Sequence, residues 1–269
     1  MSKTLLILAA SLALRCASSY GAEPPTAKAW LVLQKGVTGN HADKRANAVH
    51  AVRLLSHNLR AQSMAENALS DSSSRVRAAA ARSLGLMGAV RALPKLKAAL
   101  NDKEPAVVLA AARSLFLLGE RQDAYEIDYE VLTGERKSAH GFVASQIDGL
   151  RDPMAVAKMG IETGIGFAPF GGEAYEVYKR IGKDDTTPVR VAATKELATD
   201  REPKISAALA KSCLDKNWRV RLAAVFAIAK RDDPALLPLI TAALDDKSGA
   251  VRYEAAATVL RLSGKVITQ

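Results

Sequence analysis

A short motif recurs through this chain and limits the folds that it can adopt. Each copy opens with an aspartate, reaches a valine five residues later and continues into an alanine-rich stretch. The anchoring valines are Val76, Val107, Val189, Val220 and Val251, at steps of 31, 82, 31 and 31 residues. Self-similarity at a period of roughly 20–50 residues is typical of repeat proteins, in which each unit packs against the next.

Each unit contains the pattern of two helices. The first has one apolar face, with residues at i, i+3, i+4 and i+7, as in Val220, Ala223, Ala224 and Ala227. A second helix follows, as in 92–100, where Pro94 stands in the first turn and its missing N–H costs little. Because an isolated helix pair cannot bury its apolar faces, stacking must supply the core. The sequence therefore predicts an all-α solenoid over residues 41–269.

The repeated Asp and Val-Arg positions resemble the HEAT-repeat superfamily, in its short-unit, phycobilin-lyase-type, armadillo-like form. The resemblance implies a right-handed α-solenoid of about seven two-helix HEAT-like repeats. It also implies a ladder of charge pairs between neighbouring repeats, formed by Asp71, Arg77, Asp184, Arg190, Asp215, Arg221, Asp246 and Arg252. Asp102 departs from this pattern, since Val108 stands where the arginine is expected, and we expect one rung to be missing there.

The N-terminus has the features of an export signal. Lys3 precedes a ten-residue apolar run over 5–14, and small residues follow up to Ala22. We expect residues 1–22 to be a signal peptide and the protein to be periplasmic or secreted. Lipid anchoring through Cys16 is the weaker alternative, because Arg15 occupies the place of a small residue. Residues 23–40 are expected to form a capping helix and linker, with Trp30 closing the end of the solenoid.

The repeat is interrupted by a Gly-rich insertion near 155–172. Its glycines suggest a phosphate-binding loop, but Gly172 and Glu173 stand where Lys and Ser or Thr are needed. Two interpretations remain: a loop packed against the solenoid, or a partly exposed apolar loop that binds a partner or a membrane surface. The candidate partner-binding residues are Ile165, Phe167, Pro169 and Phe170.

No catalytic or metal-binding constellation is recognised, so we expect no catalytic residues, no metal and no cofactor. His50 and His57 share a helix face but lie two turns apart, about 10 Å, and are interpreted as solvated. Lysines on second helices could form a basic trough, namely Lys95, Lys97, Lys204 and Lys211. The remaining thiol after signal removal, Cys213, is interpreted as part of the core.

The net charge of +10 favours anionic partners without choosing among them. Nucleic acid is not expected, because no aromatic residues alternate with the basic ones and the chain is expected to be exported. The sequence predicts a scaffold or adaptor, not an enzyme, that binds a cell-envelope protein through the concave face and the Gly/Phe/Pro loop. The alternatives are an accessory or lyase-like subunit that handles a cofactor, and a membrane-peripheral structural protein. A small-molecule ligand is the least expected partner.

Overall fold

The computed structural model of this chain describes residues 24–122, 125, 127 and 186–266. In this part the α-helices are α1 (Pro25–Val37), α2 (Ala42–Ala51), α3 (Leu59–Ala68), α4 (Ser74–Met87), α5 (Leu93–Ala99), α6 (Pro105–Leu117), α7 (Thr187–Glu196), α8 (Pro203–Ser212), α9 (Trp218–Arg231), α10 (Leu237–Ala242) and α11 (Gly249–Val266). Short 3-10 turns extend several of them. The expected signal peptide and the loop residues Ile165, Phe167, Pro169 and Phe170 lie outside the described residues.

The repeated aspartates fix the turns that start the first helices. The Asp71 carboxylate accepts the backbone N–H of Ser73 at 2.8 Å, and Ser73 is the N-cap residue of α4. Asp215 does the same for Asn217 before α9. Gly88 ends α4 in the left-handed conformation, at φ 70°, which glycine adopts without steric cost. Each aspartate therefore shapes the turn two residues before its helix begins.

The first helices of the units pack side by side in a row. Their spatial order is α7, α9, α11, α2, α4 and α6. Second helices α3, α5, α8 and α10 pack on one side of this row. The buried surface consists mainly of alanine, leucine and valine, and alanine lets neighbouring helices approach closely. The predicted all-α repeat solenoid is confirmed.

The order of the row differs from the order of the chain. Helix α1 packs against α11, in the place that a second helix occupies in the other units, and it also contacts α2. Ala29 and Leu33 of α1 are fully buried. A Cβ added to Gly36 would lie 2.6 Å from the Cβ of Ala48 and from Cε1 of Tyr253, so three helices meet at this glycine.

The expected terminal cap is thus a helix, but its position differs from the expectation. Trp30 packs at the edge of the main core, with the Arg60 guanidinium 4.4 Å from its ring, in the middle of the described row. The unit that begins with α11 has α1 as its second helix, so this C-terminal unit is completed by the N-terminal helix.

Among the helices in the described ranges, none combines the length and the apolar character that crossing a bilayer requires.

Candidate interaction surface

Arginine and aspartate side chains join neighbouring units along the row. Arg77 of α4 donates from Nε and Nη2 to the two oxygens of Asp102, at 2.7 and 2.8 Å. Its Nη1 donates to the backbone oxygen of Asp71 at 2.9 Å. Arg221 makes the same set with Asp246 and with the backbone oxygen of Asp215. Each arginine therefore holds the turn of its own unit and the carboxylate of the next.

This geometry differs in detail from the ladder implied by the sequence. Asp102 accepts from Arg77, so its own rung is present. The position that lacks an arginine is the buried Val108, one helix further along. Arg190 pairs with Asp215, and Arg252 donates to the backbone oxygens of Asp246 and Lys247. Asp184 lies outside the described residues.

Arg45 is a ladder residue that sequence reasoning missed. Its Nε and Nη2 donate to Asp71 at 2.7 and 2.8 Å, and its Nη1 donates to the Gly39 oxygen. It precedes Arg77 by 32 residues, one more than the 31-residue step between the valines, so a strict period of 31 does not align the two arginines. The aspartate 26 positions after Arg45 could have revealed the correct register.

The ladder lowers the pKa of its carboxyls. Hydrogen bonds from Arg45 lower the pKa of Asp71, and hydrogen bonds from Arg77 lower that of Asp102, in each case against the opposing effect of burial. These groups are paired and mostly covered, so the ladder fixes the stack and offers little charge to a partner.

The basic trough expected on second helices is largely neutralised. Lys95 pairs with Glu66 at 2.6 Å and Lys97 pairs with Glu120 at 2.8 Å, in both cases across neighbouring elements. Lys204 pairs with Glu202 at 2.6 Å. Lys211 is exposed. The sequence could not show the pairs of Lys95 and Lys97, because Glu66 and Glu120 come from elements that the fold brings beside these lysines.

Two titratable side chains are held neutral by the fold. Burial, together with the nearby charges of Arg53 and Arg82, lowers the pKa of His50 to about 3, so the expectation of a solvated His50 is wrong. Burial raises the pKa of the Cys213 thiol to about 11, and Cys213 packs against the main core. No group of three potential metal ligands occurs within the described residues.

An ion pair lies where the two halves of the chain meet. Arg53, just after α2, donates to Glu254 of α11 at 2.7 and 3.0 Å. The side chains are only 9% and 6% exposed. The Arg53 guanidinium also lies 5.7 Å from the ring centroid of Phe226 on α9. Arg53 therefore contacts side chains of both α11 and α9, and it ties the chain's two halves together.

The solvent side of α4 and α6 carries a second group of residues that sequence reasoning missed. It consists of Arg82, Leu86, Arg113, Phe116, Leu117 and Arg121, and we name it the arginine–leucine face. Arg113 and Arg121 each lie 5.6 Å from the Phe116 ring centroid. A signal was present in the sequence, because both the arginine and the leucine of this face recur 31 residues apart.

Comparison with solved structures finds matches at low similarity. Human deoxyhypusine hydroxylase in complex with glycerol is 17% identical over 89% of this chain and 97% of that chain, with a TM-score of 0.34. The complex of CpcE and CpcF of phycocyanin lyase from Nostoc sp. is 19% identical over 93% and 90%, with a TM-score of 0.34. An engineered protein is 14% identical over 88% and 96%, with a TM-score of 0.28. No argument about function rests on these likenesses.

The sequence comparison is more specific. No curated protein matches the chain. HEAT repeats match residues 31–116 and 176–261, which together are more than half of the chain and contain the motif copies at Asp71, Asp102, Asp184, Asp215 and Asp246. The chain belongs to the HEAT-repeat family.

Proposed function

We propose that this protein is a scaffold that holds a partner protein along its row of helices and does not itself catalyse a reaction. The observation that carries the proposal is the row itself, in which bidentate ion pairs tie α2, α4 and α9 to the turn that opens the next unit of the row. Such a row presents equivalent surface positions at a regular spacing, and extended surfaces of this kind suit long segments of a partner.

Two further parts of the proposal rest on the sequence. The protein is exported to the periplasm or secreted, since residues 1–22 have the composition of a signal peptide. The partner is accordingly a protein of the cell envelope. A second contact is made by Ile165, Phe167, Pro169 and Phe170, because apolar residues in Gly- and Pro-rich loops on rigid scaffolds often bind partners.

Crosslinking of the tagged full-length protein in the cells that produce it tests the proposal. We expect one protein partner to be enriched reproducibly over a tag-only control. Native mass spectrometry of the purified protein is expected to give the mass of the polypeptide alone. A tightly bound small molecule or cofactor, with no enriched protein partner, would overturn the scaffold proposal in favour of an accessory enzyme subunit.

Deletion of residues 160–172 tests the loop separately. We expect the helical circular dichroism to be unchanged and the crosslinked partner to be lost. Retention of the partner at the wild-type level would remove the loop from the proposal and leave the row of helices. Cell fractionation tests the proposed location. Recovery of the protein from the cytoplasm alone would contradict export.

A further inference from the structure

The arginine–leucine face is formed by two helices in fixed register. The Ser114 hydroxyl of α6 donates to the backbone oxygen of Ala81 on α4 at 2.8 Å. A Cβ added to Gly85 would lie 2.6 Å from the Ser114 hydroxyl oxygen, so the two helices approach closely at this point. This register sets Arg82 beside Arg113 and Leu86 beside Leu117, because the members of each pair occupy the same position in adjacent units.

The apolar side chains of this face are exposed to solvent. Leu86, Phe116 and Leu117 are 53%, 43% and 46% exposed. Helix α4 is flanked by α2 on one side and α6 on the other, so the exposure of Leu86 is not an effect of the end of a stack. Contiguous exposed apolar side chains on a rigid element usually mark a contact surface.

The cations of this face lack acidic partners in the part of the chain that the structure describes. Arg82 donates a hydrogen bond to the backbone oxygen of Ala78 at 3.3 Å, while Arg113 and Arg121 lie over the Phe116 ring. Elsewhere Arg45, Arg77, Lys95 and Lys97 are paired with carboxylates. Burial lowers the pKa of Arg82, so a carboxylate brought to this face would stabilise a guanidinium that is already partly desolvated.

The combination of arginines and exposed leucines on this face is not imposed by the repeat. At the position of Arg82 and Arg113, the other described units carry His50, Lys195, Phe226 and Ala257. At the position of Leu86 and Leu117 they carry Leu54, Thr199, Lys230 and Arg261, and Arg261 is paired with Asp232 at 2.9 Å. A purely structural requirement would place the same residue types in every unit. The face therefore belongs to the two units that contain α4 and α6.

We propose that the arginine–leucine face binds an amphipathic helix of a partner protein, with leucine-type residues against Leu86, Phe116 and Leu117 and acidic residues against the three arginines. This proposal rests on the scaffold function and names the chemistry of its partner. Two neighbouring helices with exposed apolar side chains, Leu86 on one and Phe116 and Leu117 on the other, offer a surface for the apolar face of an amphipathic helix. Aromatic and arginine side chains also contribute most of the energy at many protein interfaces. The exposed leucines Leu86 and Leu117 favour a protein helix over a nucleic acid, because affinity for nucleic acid comes mainly from phosphate contacts, which leucine cannot make.

Fluorescence anisotropy with the full-length protein and synthetic peptides tests the chemistry. The probe is a labelled peptide of roughly 18 residues, about five helical turns, with leucines at i, i+3, i+4 and i+7 and glutamates on the flanks. The matched peptide has glutamine at every glutamate position. We expect saturable binding of the glutamate peptide and at least about tenfold weaker binding of the glutamine peptide. No saturable binding up to about 100 µM overturns the proposal.

Variants locate the binding. Arg113→Gln and Phe116→Ser are each expected to weaken the glutamate peptide at least about fivefold. Both side chains are exposed, so circular dichroism should remain that of the wild type. Leu86→Gln provides an independent variant on the other helix and is expected to act in the same direction. Lys211→Gln, which removes one exposed charge elsewhere, is the control and should leave binding unchanged. Equal binding of the glutamate peptide by the wild type and all variants would show that the peptide does not bind at the arginine–leucine face.

Other occupants are excluded by competing probes. Vesicles with anionic headgroups and a single-stranded oligonucleotide are titrated against wild type and Arg113→Gln. If either probe binds the wild type more tightly than the glutamate peptide does, and if Arg113→Gln loses that binding, the face belongs to a membrane or a nucleic acid. This result would overturn our proposal. Concentration-dependent dimerisation that is abolished by Leu86→Gln would assign it to a second copy of the chain, with the same consequence.

The cellular crosslinking experiment separates this proposal from the scaffold function. Loss of the captured partner in the Arg113→Gln/Phe116→Ser double variant supports both the scaffold function and the role of the arginine–leucine face. Capture of the same partner by wild type and variant keeps the scaffold function and overturns the role of the arginine–leucine face. Capture of no partner by either protein overturns the scaffold function, and the face then depends on the peptide titration alone.

Discussion

The same type of ion pair occurs in two different surroundings in this protein. The Arg77 and Asp102 side chains are 9% and 13% exposed, whereas those of Arg75 and Asp43 are 70% and 71% exposed. Exposed pairs contribute little because water screens them, but the removal of one partner of a covered pair leaves a charge without compensation.

We therefore predict that Asp102→Asn lowers the free energy of unfolding by about 2 kcal/mol, because Arg77 keeps only a neutral acceptor. Asp43→Asn is the matched control and should change it by less than about 0.5 kcal/mol. Urea denaturation at pH 7 measures both. Equal effects of the two substitutions would show that the ladder contributes no more than a surface pair.

The ladder also predicts a pH dependence. The arginine hydrogen bonds lower the folded-state pKa of Asp71 and Asp102 below the ordinary value of 3.8. A carboxyl whose pKa is lower in the folded state contributes stability that is fully present above its unfolded pKa and is lost as the pH falls through the folded pKa.

We expect the free energy of unfolding of the wild type to fall steeply below about pH 4, and that of Asp102→Asn to fall less steeply. The difference between the two proteins should thus narrow as the pH falls. Denaturation curves at pH 7, 5, 4 and 3 test this. A difference that stays constant over the whole range would contradict the role assigned to the carboxylate.

Two helical glycines should respond to the same substitution with opposite signs. A methyl group at Gly36 would overlap Ala48 and Tyr253, whereas one at Gly264 would meet nothing within 4 Å. Gly36→Ala is expected to cost at least about 2 kcal/mol by overpacking, and Gly264→Ala to stabilise by about 0.5 kcal/mol through helix propensity. Thermal denaturation followed by circular dichroism compares them. Equal or neutral effects would mean that α1 does not approach α2 and α11 as closely as the structure has it.

At the scale of helices, α1 and α11 depend on each other. Deletion of residues 24–37 removes the side chains of Ala29 and Leu33 from the face of α11 that they cover. We predict faster amide hydrogen exchange throughout α11, and much smaller changes in α6, which lies at the other end of the described row. Exchange followed by mass spectrometry measures both helices in one experiment. Unchanged protection of α11 would show that α1 is not its second helix.

The helices themselves could be predicted from the sequence because their information is local. Apolar spacing within one unit defines each first helix, and prolines such as Pro94 and Pro238 mark the starts of second helices. The pairing of α1 with α11 could not be predicted in this way. A periodic pattern shows that units stack, but it does not show which two units become neighbours when the chain returns to its own beginning.

The candidate site was only partly accessible to sequence reasoning for a related reason. Lys95 and Lys97 looked free because the partners Glu66 and Glu120 come from other elements. The ladder arginines were found, since they repeat, but the rung at Asp102 was expected to be missing, whereas Asp102 pairs with Arg77 of the preceding unit. Arg113 and Phe116 were overlooked because exposure can be read only after the helices are packed.

For the whole molecule, the Arg53 and Glu254 pair links residues 201 positions apart. We predict that Glu254→Gln costs about 3 kcal/mol because it leaves Arg53 covered and uncompensated. Arg53→Met combined with Glu254→Leu should recover most of this loss, since an apolar pair leaves no charge behind. A double-mutant cycle in urea measures the coupling. Additive losses in the double variant would show that the pair is not coupled.

The same pair should make the described halves unfold together. In a Trp30→Phe background, Trp218 is the remaining tryptophan and reports on the C-terminal half, while circular dichroism reports on all helices. We expect the two signals to give the same urea midpoint in the Trp30→Phe protein and different midpoints once Glu254→Gln is added. Different urea midpoints for the two signals in the Trp30→Phe protein would contradict the expectation that the described halves unfold together.

The pairing of α1 with α11 also has a consequence for biosynthesis. Lys28 and Asp245, which meet at this junction, are 217 positions apart, so a ribosome finishes α1 long before its partner emerges. During that interval Ala29 and Leu33 are uncovered, and nascent chains with such uncovered segments are typical clients of chaperones. The synthesis of α11, and not the assembly of the early repeats, therefore sets the earliest moment at which the row can be joined across the junction.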